Sequence, residues 1–559
     1  MLYAFSALLT ALICGPIFGK YLLYRDAVAT PQFPMTASAL GIDGSAPRAV
    51  PQDTALALAS RLVDGGWLVA GFTALALFAA GVGYGKLAAQ LIPVTGRAGT
   101  VAAAAVAIWN PFVAERLLQG HWSLLAGYAA LGWTVLAVLS LHREPSWRRW
   151  AMLAGAFAAG GLTPTGSILV LLVAVVTAVA ARLPGRMLTG LVGCWVVTAS
   201  PWLVGAVVSS NVGWSGGATA FALRAEPWLG TFGTALGLGG IWNADAVPAS
   251  RTGPWALVAT VMLVSVVALG TWSMVRLRLD SARTVGALGM LAAVVVLVVV
   301  LAATSPGIAL MDMLLAHVPG AGLVRDTHKY LALAVPFVSL AAAAAVAALR
   351  RLIPAGFAVA AMLALVVAPL PDLAWGVGGN IKPVAYPADY GRVTGLIGAN
   401  ADGRSGAVAL WPADNVRRLS WVGGQSLSPL PRMLDAPVVV SGELFVDGEP
   451  VDSPTGRTFE VVETLRDGGD TRELAHLGIG WVVVEESTPP ADLAAVEPVY
   501  RGQHLTLYRI DSAEPPPTPG MPAWTAAIIA FALWVSSLLA ALIALLLPAA
   551  TARVRPFLR

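Results

Sequence analysis

Long apolar runs separated by short polar segments make up most of the first 370 residues of the chain. A bilayer core is crossed by about 20 apolar residues in a helix, so runs of this length predict membrane-spanning helices. The pattern predicts about twelve spans, near 2–20, 66–92, 98–112, 122–141, 151–163, 167–181, 187–208, 254–275, 284–303, 331–349, 354–370 and 522–548.

The pattern changes between residues 371 and 520, where polar residues alternate with short β-branched runs. Proline-rich stretches mark both ends of this segment, APLPDLAW at 368–375 and EPPPTPGMP at 514–522. Inside it, AVALWPA, APVVVSGELFV and LTLYRI have the composition of strands. The segment 371–520 is therefore predicted to be a small α/β or mostly β soluble domain.

Basic residues distinguish the two sides of the predicted membrane domain, residues 1–370. Short loops rich in arginine alternate with longer loops of mixed charge, and the positive-inside rule assigns the short basic loops to the cytoplasm. Both termini are then cytoplasmic, and residues 521–559 form a last span with a basic tail. The outward segments are the loops 21–65, 209–253 and 304–330 and the domain 371–520. This topology predicts a multi-pass protein of the plasma membrane.

Composition narrows the function classes. Of the 559 residues, 57% are hydrophobic and only 12% are charged, which excludes an ordinary cytosolic enzyme. A net charge of +4 is small for this length and does not favour a nucleic-acid partner. Cys14 and Cys194 lie in apolar runs, and no phosphate loop or metal-ligand motif is present. No cofactor is predicted.

Three clusters place ionisable residues near the outer interface, where such groups are costly and therefore candidates for function. The first follows the first span, where Asp26 lies beside Arg25. A carboxylate at this depth is able to act as a general base towards an acceptor hydroxyl. The alternative is an interfacial Arg–Asp pair that ends a helix.

The second cluster is WNPFVAERLLQGHW, residues 109–122. Glu115 is a second candidate catalytic carboxylate, and Arg116 and His121 are candidates for sugar binding. Trp109 and Trp122 are predicted either to stack on a sugar or to anchor the segment in an interfacial aromatic belt.

The third cluster is LVRDTHKYLA, which begins at residue 323. Arg325, His328 and Lys329 are three potential cations before a predicted span, and they suit an anionic group such as a lipid phosphate. Interfacial anchoring is the alternative. We group Arg25 with them as a candidate phosphate ligand.

The arrangement resembles the GT-C superfamily of membrane glycosyltransferases. The pieces that carry this resemblance are YLLYRDAV at 21–28, WNPFVAERLLQGHWSLLAGYAALGW at 109–133 and LVRDTHKYLALA from 323. They look most like the N-terminal membrane part of actinobacterial cell-wall arabinofuranosyltransferases. LAHLGIGWVVVEE at 474–486 is similar to an outer-domain strand of YfhO-like membrane glycosyltransferases.

The resemblance implies a polyprenyl-phosphate sugar donor, with Asp26 at the acidic position of the first outward loop and Arg325 and Lys329 near the donor phosphate. Many relatives have two acids where this chain has Arg25–Asp26. A divalent cation usually takes several oxygen ligands, so no obligatory metal is predicted.

The sequence thus predicts an inverting membrane glycosyltransferase. It would move an arabinofuranose- or mannose-type sugar from polyprenyl phosphate to a cell-envelope glycan or lipid, with membrane lipids as its surroundings. Two alternatives remain, a non-catalytic GT-C-like scaffold of an envelope assembly and a transporter of a lipid-linked saccharide. The sequence has few charges at mid-membrane positions and no clear internal repeat, which disfavours the transporter.

Overall fold

A computed structural model of the chain describes residues 1–209, 217–399, 406–446 and 449–547. The basic tail expected at 551–559 and the segment 210–216 of the predicted loop 209–253 lie outside the described residues.

Helices form most of the described chain up to residue 370, as the apolar pattern predicts. Their bounds are α1 (Leu2–Cys14), α2 (Gln52–Ala59), α3 (Gly65–Leu91), α4 (Gly96–Ile108), α5 (Pro111–Gln119), α6 (Trp122–Arg143), α7 (Trp147–Gly160), α8 (Pro164–Ala180), α9 (Gly185–Val208), α10 (Gly230–Leu236), α11 (Trp255–Arg276), α12 (Ala282–Ala302), α13 (Ser305–His317), α14 (Val335–Leu349) and α15 (Ala355–Val367).

Eight helical segments among the described residues are long and apolar enough to cross a membrane. A ninth is obtained if α15 and the short helix after it, bent by 75°, are counted as one span. The predicted number of about twelve is therefore not confirmed. The difference arises from short helices, because α1, α7 and α8 have 13, 14 and 17 residues and α15 reaches the length of a span only together with the bent helix after it.

Two segments lie at the centre of the helical part. The apolar window of Pro93–Gln119, which contains α4 and α5, is 100% buried, and that of Thr327–Leu349 is 89% buried. The corresponding window of the last span, Met521–Leu546, is only 22% buried. Alanine and valine fill α4, and their small side chains allow the neighbouring helices to approach closely. The ends of these two central segments carry the second and third polar clusters.

The contact between α11 and α14 depends on a glycine. A Cβ atom added at Gly270 would lie 1.9 Å from the carbonyl oxygen of Ala341. We expect Gly270→Ala to lower the free energy of unfolding by about 1–3 kcal/mol, because the two helices must move apart. Thermal unfolding in detergent measures this loss. Gly286→Ala in α12, where no atom lies within 4 Å, is the matched control and should change stability by less than about 1 kcal/mol. Equal unfolding temperatures for the two variants would contradict the prediction.

The chain after residue 370 forms further helices, α16 (Ala374–Gly379), α17 (Ala388–Ala399), α18 (Gly456–Arg466), α19 (Thr471–His476), α20 (Ala491–Ala494) and α21 (Met521–Leu546). The strands of the whole molecule are β1 (Leu23–Tyr24), β2 (Ala27–Val28), β3 (Ala407–Trp411), β4 (Val416–Arg417), β5 (Ser426–Leu427), β6 (Val438–Val439), β7 (Leu444–Val446), β8 (Glu449–Asp452), β9 (Ile479–Glu485), β10 (Tyr500–Arg501) and β11 (Leu505–Arg509).

A five-stranded sheet in the order β10-β11-β9-β3-β6 is the core of what we call the sheet region, which comprises β3 to β11 and α17 to α20. Strand β3 runs parallel to both β9 and β6, and β11 is antiparallel to β9. Strand β9 is buried along its whole length, which explains its unbroken apolar sequence. Of the two predicted alternatives, the described residues form the α/β one.

The sheet region and the segment just before α17 pack directly on residues 21–65, which we call the first polar loop. Tyr21 and Val384 exchange two backbone hydrogen bonds of 3.1 and 2.9 Å. Arg25 donates its backbone N–H to Gln425 at 2.8 Å and accepts one from Leu427 at 3.0 Å. The hairpin β1–β2 is therefore held by backbone bonds to the sheet region as well as by its own pairing.

Candidate functional site

The first cluster lies in the tight turn between β1 and β2. Arg25 adopts φ +48°, and Asp26 follows it before the chain returns along β2. The backbone N–H of Asp26 donates to Gln119 at the end of α5, at 3.2 Å. Gly120 permits this approach, because a Cβ there would lie 2.3 Å from the nitrogen of Ala27. The turn thus fixes Asp26 against the end of α5, with its side chain 39% exposed.

Two side chains hold the Asp26 carboxylate through the same oxygen. His121 Nε2 lies 2.8 Å from Oδ2, and Gln119 Nε2 donates to Oδ2 at 3.2 Å. Among the described residues, no group donates a hydrogen bond to the other oxygen, Oδ1. The carboxylate is therefore oriented through one oxygen, while the second remains available to a ligand.

Arg116 determines which nitrogen of His121 carries the proton. Its Nη1 lies 3.1 Å from His121 Nδ1, and a guanidinium cannot accept a hydrogen bond. His121 Nδ1 must therefore be the acceptor, which leaves Nε2–H to donate to Asp26. Burial lowers the pKa of His121 and keeps the ring neutral at pH 7.

The electrostatic surroundings of Asp26 favour its ionised form. Desolvation opposes ionisation, but the hydrogen bonds from His121 and Gln119 and the positive charge of Lys329 outweigh it. The pKa of Asp26 is consequently below its ordinary value. Asp26 is a carboxylate at neutral pH and is able to accept a proton.

Arg116 also connects the second cluster to the third. Its side chain is fully buried and donates to both carboxylate oxygens of Asp326, at 2.9 and 3.3 Å. Its Nη2 contacts Nδ1 of His328, whose Nε2 lies 3.2 Å from Glu115 Oε2. Arg116 therefore donates to the Nδ1 atoms of two histidines, each of which faces a carboxylate through Nε2.

Glu115 lies at the buried end of this network. Its side chain has no exposed surface and accepts backbone N–H groups from Gly240 and Ile241, both at 3.0 Å. A Cβ at Gly239 would lie 2.8 Å from Glu226 Oε1 and 3.3 Å from Glu115 Oε1, so two carboxylates converge on this glycine. Glu226 is neutralised by buried Arg251. The contacts of Glu115 orient the segment 239–241.

The predicted phosphate ligands differ in the hydrogen bonds and ion pairs that their side chains already make within the protein. Lys329 is 26% exposed, and its Nζ lies 3.7 Å from Asp326. Arg325 binds both carboxylate oxygens of Asp452 in β8, at 2.6 and 3.0 Å. The guanidinium of Arg25 donates to the carbonyl oxygens of Leu118 and Asp245. In the part of the chain that the structure describes, the Lys329 ammonium makes no hydrogen bond, whereas the guanidinium groups of Arg325 and Arg25 each make two.

The two predicted sugar-stacking tryptophans lie inside the helical part. Trp109 is 3% exposed and donates Nε1–H to the carbonyl oxygen of Leu370 at 2.9 Å. Trp122 is 5% exposed and stacks on Phe72, with ring centroids 6.1 Å apart. The structure thus brings Asp26, His121 and Lys329 together at a partly exposed surface, and it separates both tryptophans from that surface.

Sequence reasoning missed three contributors to this surface. Asp326 lies in the third cluster and Gln119 in the second, but their positions in the sequence do not indicate which residues they contact. Arg48, in the first polar loop, is 68% exposed and lies 3.7 Å from Asp452. Its sequence neighbours carry no motif, so only the folded structure reveals it beside the third cluster.

The residues around Asp26 do not fit a divalent cation. Asp26 supplies one carboxylate, and its neighbours His121 and Lys329 are a hydrogen-bonded imidazole and a cation. Among the described residues, no group of three or more His, Cys, Asp or Glu side chains is arranged to hold a metal ion. Mg²⁺ and Ca²⁺ prefer several oxygen ligands.

The fold formed by these helices and the α/β sheet region is similar to that of solved structures. The similar solved structures are of the arabinofuranosyltransferase AftD from Mycobacteria. One has a TM-score of 0.57 and 17% identity, and covers 91% of this chain and 40% of that chain. Two classes of an AftD mutant give TM-scores of 0.53 and 0.52, at 16% and 14% identity.

The expected resemblance is confirmed for the fold. The chain spans about 40% of the length of these solved neighbours, so the similarity concerns one part of them. No protein-family model matches the sequence, and a search of curated proteins also finds no match.

Proposed function

We propose that this protein is an inverting glycosyltransferase of the plasma membrane. It moves an arabinofuranose- or mannose-type sugar from a polyprenyl-phosphate donor to a cell-envelope glycan or lipid. The transfer occurs on the outer side, where the first polar loop and the sheet region lie, and both termini are cytoplasmic. The AftD-like fold supports this class of activity.

One observation carries the proposal. Asp26 is a partly exposed carboxylate whose Oδ2 is oriented by His121 and Gln119. Among the described residues, no group donates a hydrogen bond to its Oδ1. A general base needs this combination of fixed direction, accessible lone pair and ionised state. A carboxylate that only ended a helix would not need two side chains to orient it.

The chemistry is a single displacement at the anomeric carbon. The acceptor hydroxyl oxygen attacks C1 of the sugar while its proton passes to Asp26 Oδ1. The bond between C1 and the phosphate oxygen breaks, and polyprenyl phosphate leaves with the bonding electron pair. Attack from the face opposite the leaving group inverts the configuration at C1. The base and the phosphate ligands must therefore lie on opposite sides of the sugar.

The leaving phosphate gains negative charge in this step and needs a cation close by. We assign this role first to Lys329, because its ammonium is partly exposed and its charge acts on the same surface, across which a sugar would separate it from Asp26. Arg48 is the second candidate, because its guanidinium is largely exposed on the same surface. Arg325, His328 and Arg25 then act by holding neighbouring segments.

Under this proposal, most of the remaining predicted residues position other groups of the site and do not touch the reacting atoms. Arg116 sets the tautomer of His121, which aims Asp26, and Glu115 orients the segment 239–241. Trp109 and Trp122 stabilise the helices behind the site rather than contact the sugar. We propose that His121, whose side chain is 18% exposed, contacts the sugar beside Asp26.

Sugar transfer by the purified full chain in lipid nanodiscs tests the proposal. Labelled polyprenyl-phosphate arabinose and polyprenyl-phosphate mannose are supplied separately with an envelope-glycan acceptor fraction, and a nucleotide sugar serves as the control donor. We expect transfer from one lipid-linked donor and none from the nucleotide sugar. Absence of transfer from both lipid-linked donors, with the protein folded, would contradict the proposal and favour the scaffold alternative.

A further inference from the structure

A second concave surface lies in the sheet region, outside the site around Asp26. It is a concavity with an enclosed volume of about 30 Å³, open to solvent, at the carboxyl ends of β3 and β6. Strands β6 and β9 both follow β3 in the chain and lie on opposite sides of it. In open α/β sheets ligands bind outside the carboxyl ends of the parallel strands, where the strand order reverses. Here the order reverses between β3 and β9, and the concavity lies at the same edge of the sheet, one strand away.

A buried cation with a free donor lines this concavity. Arg417 in β4 is 4% exposed, and its Nε donates to Glu485 at 2.8 Å while Nη2 donates to the carbonyl oxygen of Pro412 at 2.6 Å. Its Nη1 has no hydrogen-bond partner in the part of the chain that the structure describes. A buried donor left unpaired costs about 1–3 kcal/mol, so a ligand that accepts from Nη1 would recover that free energy.

The charges of the lining favour a neutral ligand. Glu485 already neutralises Arg417, and Asp414 adds an exposed acid at the rim. An anion would meet the carboxylate of Asp414 without an unpaired positive charge to offset it. Asn415 and Ser441 add uncharged polar groups to the same lining.

The opposite wall is apolar. Val439, Val461 and Leu465 line it, and the last two belong to α18. A ligand that suits both walls carries hydroxyl groups on its edges and C–H groups on a face. A sugar ring has this distribution of groups, and because the enclosed volume is small, a bound ring would lie partly in solvent.

We propose that this concavity, lined by Asp414, Asn415, Arg417 and Ser441, binds a glycosyl residue of a neutral glycan. Hydroxyl groups accept from Arg417 Nη1 and donate to Asp414, and the C–H face of the ring packs on the valine wall. The binding site itself does not depend on catalysis.

The strands that line the concavity also reach the candidate base. Arg417 pairs with Ser426 of β5, and Ser426 forms a bridge with Arg25, the residue before Asp26. A glycan bound here is therefore held by the same strands that fix the β1–β2 turn. Identifying this glycan as the acceptor rests on the proposed transferase function.

Direct binding to the purified full chain, with no sugar donor present, tests the site. The probes are short arabinofuranosyl and mannosyl oligosaccharides and, as an anion, inorganic phosphate, each titrated by calorimetry. Val440→Trp fills the mouth of the concavity from a position that is 43% exposed. Asp414→Ala removes the rim acceptor. Asp435→Ala, an exposed acid before the amino end of β6, is the matched control.

We expect one of the oligosaccharides to bind the wild type and the control equally. Asp414→Ala should weaken this binding about tenfold, as expected for the loss of a hydrogen bond to a charged group, and Val440→Trp should abolish it. Unchanged thermal unfolding would show that both variants fold.

Three results would overturn the site: no oligosaccharide binds the wild type, binding survives Val440→Trp, or phosphate alone binds. If saccharide binding depends on Val440 while lipid-linked donors give no transfer, the site stands and the transferase proposal fails. If transfer occurs and both variants bind glycan normally, the transferase stands and the site fails.

Discussion

Replacing Asp26 by Asn is expected to reduce sugar transfer by about 10²- to 10⁴-fold, the usual contribution of a general base. The amide cannot accept the acceptor proton, although it retains the size of the carboxylate. Because the side chain is 39% exposed, the variant should fold and reach the membrane like the wild type. Initial rates with saturating lipid-linked donor measure the loss, and thermal unfolding checks the fold.

Asp43→Asn is the matched control, because Asp43 is an exposed acid in the same polar loop whose side chain, among the described residues, bonds to neighbouring Ser45 alone. It should transfer sugar at the wild-type rate. Equal rates for Asp26→Asn and Asp43→Asn would remove Asp26 from the chemistry.

The pH profile provides a second test of the same residue. The pKa of Asp26 is below its ordinary value, so the base is ionised throughout the neutral range and loses activity only when acid protonates it. The transfer rate should therefore stay level from about pH 8 down to about pH 5 and fall below the ordinary Asp value near pH 4. A rate that fell between about pH 7 and 6 would indicate a histidine as the titrating group instead.

Replacing Arg116 by Gln is expected to have the largest effect on stability. Its guanidinium is fully buried and bonds to Asp326, His121 and His328. Removing one partner of a buried ion pair leaves the other charge uncompensated, at a cost of about 3–5 kcal/mol. The unfolding temperature in detergent should fall accordingly, and transfer should fall with it because His121 no longer has a fixed tautomer.

A double-mutant cycle separates the ion pair from other effects of the substitution. The double variant Arg116→Gln/Asp326→Asn removes both charges, so it should be less destabilised than the sum of the two single variants. Additive losses would show that the pair is not coupled. Arg149→Gln, which removes a partly exposed arginine paired with exposed Glu144, is the control and should cost less than about 1 kcal/mol.

Much of the architecture was predictable because its signals are local. Apolar runs such as Ala282–Ala302 report a span from about twenty consecutive residues, without reference to the rest of the chain. The run GWVVVEE likewise predicted a buried strand, which is β9. The number of spans was less predictable, because a short apolar helix such as α8 has the composition of a span without its length.

The sequence also identified the three polar clusters, since charged residues beside apolar runs are conspicuous. It did not distinguish their roles. Glu115 and Asp26 are both acids near an interface, and only packing buries the first and leaves the second partly exposed. Trp109 and Trp122 are of a residue type that suits an aromatic sugar-binding site, yet their contacts lie within the helical core.

By itself, the sequence determined the membrane class, the segment that forms a small sheet region and the residue types available at the polar ends of the helices. The tertiary structure decided which of these residues meet. Asp26 reaches His121 across 95 positions, and Arg116 reaches Asp326 across 210. Contacts over such separations depend on how whole helices pack, and no local pattern encodes that packing.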